Sequence, residues 1–138
     1  MCDYVRDASP RIRRKEPTVL RLLLVEDHAS FRQALKFLLN LRPDMRVVAE
    51  CGSLAGCRAL EGLGSVDVAL LDLMLPDGDG TELIVVLRGA NPGVKVLVLS
   101  ASIEPGLAER VAEAGADGVL NKATALTEIV AEVARLAR

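Results

Sequence analysis

Apolar residues in this chain fall into five short runs, separated by longer segments of mixed polarity. Most of the runs carry Val and Leu at successive positions and do not alternate apolar with polar residues. That pattern is typical of strands that are covered by helices on both faces of a parallel sheet. We therefore predict buried strands over residues 20–25, 45–50, 66–71, 94–99 and 118–120.

The segments between these runs show helical spacing. Phe31, Leu35 and Leu38 fall at positions i, i+4 and i+7, and residues 126–133 repeat such a stripe. Helix boundaries are predicted from capping residues and turn formers. These are Ser53 and Thr124 as N-caps of the second and fifth helices, His28 at the start of the first helix, Pro105 in the first turn of the fourth, Gly115 at its end, and Asn91-Pro92-Gly93 after the third.

Strands and helices thus alternate five times over about 120 residues, which predicts an α/β fold. Right-handed crossovers of this number fit a doubly wound, open parallel sheet, because a closed barrel needs eight units. Ligands of such sheets bind at the carboxyl ends of the strands. The chemistry of the chain is therefore expected at those ends.

Residues 1–18 differ from the rest, since they combine a cluster of basic residues with two prolines and no apolar periodicity. We predict a flexible N-terminal leader there and one domain over residues 19–138. The longest apolar run, Leu83 to Leu87, is far shorter than the roughly 20 residues that span a bilayer. No apolar segment near the N-terminus indicates a secretory signal.

The composition excludes some classes of binding partner. Lys and Arg number 17 against 19 Asp and Glu, and aromatic residues make up only 2% of the chain. Base-stacking platforms and a strongly basic DNA-binding surface are therefore not expected. Three sparse cysteines (Cys2, Cys51 and Cys57) and a single histidine argue for reduced thiols in a cytoplasmic protein and against a zinc site.

Chemically active side chains follow four of the predicted strands. Glu26 and Asp27 follow the first strand, Asp72 the third, Ser100 ends the fourth, and Lys122 follows the fifth. If the first and third strands are neighbours, three carboxylates converge and repel one another, at roughly 3 kcal/mol per pair about 5 Å apart. Hard oxygen ligands beside solvent suit Mg²⁺. With a hydroxyl and a lysine nearby, the set predicts a phosphoryl-transfer site.

The sequence resembles the receiver domain of two-component response regulators over roughly residues 19–138. The matching stretches are residues 22–27 (LLLVED), 68–80 (VALLDLMLPDGDG), 96–101 (VLVLSA) and 115–122 (GADGVLNK). The resemblance implies a flavodoxin-like fold with strand order 2-1-3-4-5. It also implies a signalling domain that catalyses only its own phosphorylation and dephosphorylation.

The resemblance assigns a role to each site residue. Asp72 would accept a phosphoryl group from a phosphohistidine on a sensor kinase or phosphotransfer protein. Glu26, Asp27, Asp72 and the backbone carbonyl of Met74 would hold Mg²⁺. Ser100 would hydrogen-bond the phosphoryl oxygens, and Lys122 would pair with them. The new charge would then bias the loops and helices that signal to a downstream effector domain or protein.

Two positions depart from the family pattern. Val119 stands where the family commonly has an aromatic residue whose rotamer swings inward on activation. Ala123 stands where a proline usually follows the lysine, often through a cis bond. These departures predict an altered route of signal output and a differently shaped loop at Lys122, with the phosphorylation chemistry unchanged.

Two other kinds of site fit the sequence less well. A haloacid-dehalogenase-like phosphatase needs an Asp at position 74, which is Met, and a dinucleotide would be repelled by Glu26 and Asp27. A receiver-like interaction module that is never phosphorylated stays open. The sequence also leaves open whether the chain forms a homodimer. Residues 41–50 resemble receivers that precede DNA-binding domains, so such an effector domain in a longer protein stays open as well. The chain itself is not expected to bind nucleic acid or membrane.

Overall fold

The computed structural model describes residues 19–138, and the predicted leader lies outside this range. Five parallel strands form one sheet in the order β2-β1-β3-β4-β5, which confirms the doubly wound, flavodoxin-like prediction. The strands are β1 (Leu20–Val25), β2 (Met45–Cys51), β3 (Val68–Asp72), β4 (Lys95–Ser100) and β5 (Gly118–Asn121).

Helices cover both faces of the sheet. They are α1 (Ala29–Leu41), α2 (Leu54–Arg58), α3 (Glu82–Ala90), α4 (Leu107–Glu113) and α5 (Leu126–Leu136), with a short 3₁₀ turn at Leu63–Ser65. Side chains of a strand point alternately to its two faces. In β1, Leu22 and Leu24 therefore pack with α1 and α5, while Leu23 and Val25 pack with α2, α3 and α4. Successive apolar residues are needed because both faces are buried.

Two strands begin later than predicted. Val66 closes the 3₁₀ turn by donating its amide to Leu63, so β3 starts only at Val68. Val94 likewise donates its amide to Asn91 in the turn after α3, and β4 starts at Lys95. Local turn hydrogen bonds therefore compete with the sheet for residues that have strand-like side chains.

The predicted helix boundaries had mixed outcomes. The Ser53 hydroxyl accepts the Gly56 amide as the N-cap of α2, and Gly115 follows α4 with a positive φ of 106°. Thr124 was wrong as the N-cap of α5, because the helix begins at Leu126 with Ala125 as its N-cap, and Thr124 belongs to the preceding turn, where its amide donates to the Asn121 carbonyl. Pro105 was also wrong, since the left-handed Gly106 separates it from α4.

Two further features bear on the predictions. Cys51 and Cys57 carry free thiols, as predicted, and Cys2 lies outside the described residues. None of the helices in residues 19–138 combines the length and the apolar character that crossing a membrane requires.

Candidate functional site

Three carboxylates meet at the carboxyl edge of the sheet. Val25 of β1 pairs with Leu71 of β3, so Glu26 and Asp27, which follow β1, become neighbours of Asp72, the last residue of β3. Oxygens of Glu26, Asp27 and Asp72 lie within 4.8 Å of one another. Glu26 is fully buried and Asp72 is 5% exposed, whereas Asp27 faces solvent. The structure thus brings together the three acids that the sequence placed at these strand ends.

Lys122 enters this acidic cluster from the end of β5. Its Nζ lies 2.8 Å from Glu26 Oε1, 3.0 Å from Glu26 Oε2 and 3.5 Å from Asp72 Oδ2. Burial lowers the pKa of Lys122, but the hydrogen bond to Glu26 and the charge of Asp72 outweigh it, so this pKa is above its usual value. One ammonium group faces three carboxylates, and negative charge remains in excess.

The ionised form of Asp72 is destabilised by its surroundings in the acidic cluster. Burial, and then the charge of Glu26, raises the pKa of Asp72 from 3.8 to about 6. Lys122 and the backbone N–H of Met74, which donates to Asp72 Oδ1 at 3.2 Å, act in the opposite direction. A cation bound beside Asp72 would therefore stabilise its ionised form.

The acidic cluster suits a hard divalent cation. Among the described residues, Glu26 Oε1 is a buried side-chain oxygen without a hydrogen bond, although the charge of Lys122 lies close to it. An oxygen of this kind has a lone pair available for a metal, and carboxylate oxygens are the ligands that Mg²⁺ prefers. The donor set and its surplus negative charge therefore fit Mg²⁺.

Ser100 and Met74 flank the cluster at a cavity of about 320 Å³ beside the loop after β4. Ser100 is 5% exposed, and its hydroxyl donates to the carbonyl of Ser102 at 2.7 Å rather than to an acid of the cluster. The side chain of Met74 is largely exposed, and its amide holds Asp72. The metal-binding role of the Met74 carbonyl stays a prediction.

The loop after Lys122 is held without a proline. The described residues include no cis peptide bond. The amide of Ala123 donates to Asn121 Oδ1 at 2.7 Å, and the amide of Thr124 donates to the Asn121 carbonyl at 2.9 Å. A proline at position 123 has no N–H and could not make the first of these bonds. Asn121 therefore supplies the local restraint on Lys122.

Val119 lies in β5, three residues before Lys122, at the position where the family commonly has an aromatic residue. It packs beside a groove of about 220 Å³ between α4 and β5, whose walls include Ala108, Ala112 and Ala116. Small side chains leave this space open next to the valine.

Three contributors to the site were missed by sequence reasoning. A Cβ atom at Gly80 would lie 2.0 Å from the Asp72 carbonyl oxygen, so only glycine allows the hairpin of residues 74–79 to close over β3. Arg32 donates to the Glu26 carbonyl at 2.6 Å and to Glu50 at 3.0 Å, which fixes the backbone after β1. Phe31, assigned only to the apolar stripe of α1, faces Lys122. No spacing rule connects these residues to the acids.

Comparison with known proteins agrees with this geometry. The family model described as "Response regulator receiver domain" matches residues 22–134. The transcriptional regulatory protein UhpA of Salmonella typhimurium is 38% identical over 117 residues, covering 83% of this chain and 57% of the relative. The probable transcriptional regulatory protein NarL of Mycobacterium tuberculosis is 33% identical over 118 residues, or 86% and 55%. The chain thus spans about half the length of these relatives.

Solved structures support the same assignment. The signal receiver domain of the putative response regulator NarL from Mycobacterium tuberculosis superposes with a TM-score of 0.78 at 32% identity. That match covers 88% of this chain and 98% of the NarL domain. With the family model covering most of the sequence, and with the acids, serine and lysine at the ends of the expected strands, this chain belongs to the response regulator receiver domain family.

Proposed function

We propose that residues 19–138 form a phosphoacceptor domain in which Asp72 takes a phosphoryl group, with residues 1–18 as a leader. The observation that carries the proposal is the meeting of Asp72 with two further acids within 4.8 Å and with Lys122 at 3.5 Å. Such a site offers a nucleophilic oxygen together with the means to neutralise the charge that repels an anionic donor.

In the proposed step, a carboxylate oxygen of Asp72 forms a bond to phosphorus while the bond from phosphorus to the donor breaks. With a phosphohistidine donor, the imidazole nitrogen leaves with the bonding electron pair. The product carries new negative charge beside Lys122, which is already in the acidic cluster. The Ser100 hydroxyl, now bonded to the Ser102 carbonyl, would turn to donate to a phosphoryl oxygen.

Glu26, Asp27, Asp72 and the Met74 carbonyl would hold Mg²⁺, which is supported by the hard oxygen donors and by Glu26 Oε1, a buried oxygen without a hydrogen bond. When bound, the ion neutralises charge between the aspartate and the incoming phosphoryl group. The new charge on Asp72 would draw Lys122 from Glu26 toward the phosphoryl oxygens. The His28 amide, which donates to Glu26 Oε2 at 2.9 Å, keeps the glutamate aligned throughout.

The proposed partners are a sensor histidine kinase or phosphotransfer protein upstream and an effector domain or protein downstream, in the cytoplasm. The names of UhpA and NarL, and the share of their length that this chain covers, favour a DNA-binding effector in the whole protein. The domain would catalyse only its own phosphorylation and dephosphorylation. Family membership favours this function over that of an unphosphorylated interaction module.

Intact-mass spectrometry tests the proposal. The wild-type chain, incubated with acetyl phosphate and Mg²⁺, should gain one phosphoryl group, and chelation of Mg²⁺ should prevent the gain. Asp72→Asn should gain nothing. Asp67→Asn is the matched control, because Asp67 precedes the same strand at the opposite edge of the sheet and its replacement should leave the gain intact. No gain in the wild type, or an equal gain in Asp72→Asn, refutes the proposal.

A further inference from the structure

Lys122 has an aromatic neighbour that the proposed chemistry does not yet use. The centroid of the Phe31 ring lies 5.0 Å from Lys122 Nζ, within the range of a cation–π contact. Phe31 lies in the first turn of α1, whereas Lys122 follows β5 at the other end of the chain. The ring is half-buried, and 21% of the lysine side chain is exposed.

The ring completes the surroundings of the ammonium group. Glu26 offers both carboxylate oxygens, at 2.8 and 3.0 Å, and Asp72 offers one at 3.5 Å. The face of an aromatic ring attracts a cation through its quadrupole without accepting a strong hydrogen bond. Phe31 can therefore hold the ammonium group in the acidic cluster while leaving its N–H groups free to move from Glu26 to another anion.

Once its ammonium group leaves Glu26 for a phosphoryl oxygen, Lys122 needs a further restraint on its side chain. In the turn that contains Lys122, Asn121 is the side chain that holds the backbone, by accepting the Ala123 amide. The lysine stem itself has four rotatable bonds. We propose that Phe31 is a positioning residue that keeps the Lys122 ammonium over the acidic cluster, ready to pair with a phosphoryl group. The role in phosphorylation rests on the proposed function.

α1 supplies its own control. Phe37 lies on the same helix, its side chain is 65% exposed, and the aromatic ring that faces Lys122 is that of Phe31. Phe31→Leu removes the ring and keeps an apolar side chain, whereas Phe31→Tyr keeps the ring. Phe37→Leu repeats the change from ring to aliphatic chain on α1, away from the acidic cluster.

The first measurement is the NMR shift of the protons on Lys122 Cε, which a ring at this distance moves upfield. The upfield shift should vanish in Phe31→Leu and persist in Phe31→Tyr and Phe37→Leu. Persistence in Phe31→Leu overturns the contact. This measurement needs no phosphoryl donor, so it stands even if the wild type takes up no phosphoryl group and the proposed function fails.

The second measurement is the maximal rate of phosphoryl uptake from acetyl phosphate at saturating Mg²⁺. Phe31→Leu should lower this rate about five- to thirtyfold, whereas Phe31→Tyr, which keeps the ring, should keep the wild-type rate. The Mg²⁺ concentration for half-maximal rate should stay unchanged, because the ring provides no metal ligand. An unchanged rate, or a shifted Mg²⁺ dependence, overturns the positioning role.

A shape-conserving replacement keeps the test decisive if Phe31→Leu folds poorly. Pentafluorophenylalanine at position 31 has nearly the shape of phenylalanine, but fluorine withdraws electron density and reverses the charge of the ring face. This variant should fold, and its maximal rate of phosphoryl uptake should fall as it does in Phe31→Leu. Retention of the wild-type rate would show that Phe31 acts through packing only.

Discussion

Replacement of Asp72 by Asn should stabilise the domain when no metal ion is bound. Asp72 is 5% exposed and shares its surroundings with the fully buried Glu26. The substitution keeps the size of the side chain, and the amide oxygen of Asn can still accept the backbone N–H of Met74. What it removes is a buried negative charge that lies next to another negative charge.

The magnitude follows from the pKa of Asp72. Its rise from 3.8 to about 6 means that ionised Asp72 lowers the free energy of unfolding at neutral pH. At 1.36 kcal/mol per pKa unit, the cost is about 2–3 kcal/mol. Removal of this cost should raise the melting temperature of a domain of this size by about 6–12 °C.

The gain must depend on pH in a defined direction. Because the folded state holds the Asp72 proton more tightly than the unfolded state, wild-type stability falls as pH rises from 3.8 to about 6. The advantage of Asn should therefore be small near pH 4 and complete above pH 6. Below pH 4 both states are protonated, and Asp72 contributes no difference.

Urea unfolding followed by circular dichroism in chelator-containing buffer measures this effect at several pH values. Asp67→Asn serves again as the control and should show no such gain, since Asp67 lies at the opposite edge of the sheet. Equal or lower stability of Asp72→Asn at pH 7, or a gain that does not change between pH 4 and pH 7, would refute the electrostatic reasoning.

Other substitutions separate the parts of the site. Asp27→Ala should weaken Mg²⁺ binding about tenfold or more in calorimetry but raise the melting temperature without metal, since it relieves repulsion. Lys122→Met leaves buried Glu26 without its cation and should cost about 3 kcal/mol in urea unfolding, partly recovered by added Mg²⁺. Val119→Tyr can fill the groove between α4 and β5 and should leave the rate of phosphoryl uptake within about twofold, because it lies outside the acidic cluster. A lower melting temperature in Asp27→Ala, an unchanged free energy of unfolding in Lys122→Met, or a large change of the uptake rate in Val119→Tyr contradicts the respective argument.

The sequence predicted the site correctly where a residue's position depends only on the strand that it ends or follows. Because parallel strands end at one edge of the sheet, the residues after β1 and β3 could be placed together before the structure was known. Lys122 followed from the same rule, applied to β5. Phosphoryl chemistry could be inferred because each residue type has a defined role beside an anion.

Contacts that depend on side-chain rotamers could not be found in this way. Phe31 has the spacing of a core residue, and only the packing of α1 against β1, β2 and α5 brings its ring to Lys122. Thr124 has the chemistry of an N-cap, but the turn in which its amide donates to the Asn121 carbonyl places it one residue before the N-cap position, which Ala125 occupies. Gly80 is explained only by the close approach of the hairpin to the Asp72 carbonyl. For Phe31 and Gly80 a tertiary contact, and for Thr124 a competing local turn, overrides the preference read from the sequence.

The most direct test of the central claim is the site of the phosphoryl group. After incubation with acetyl phosphate and Mg²⁺, borohydride reduces an aspartyl phosphate to homoserine, and peptide mass spectrometry locates the changed residue. The prediction is conversion at Asp72 alone, with none at Asp27 or Glu26. Conversion at another carboxylate, or none in a chain shown to have bound Mg²⁺, would contradict the account.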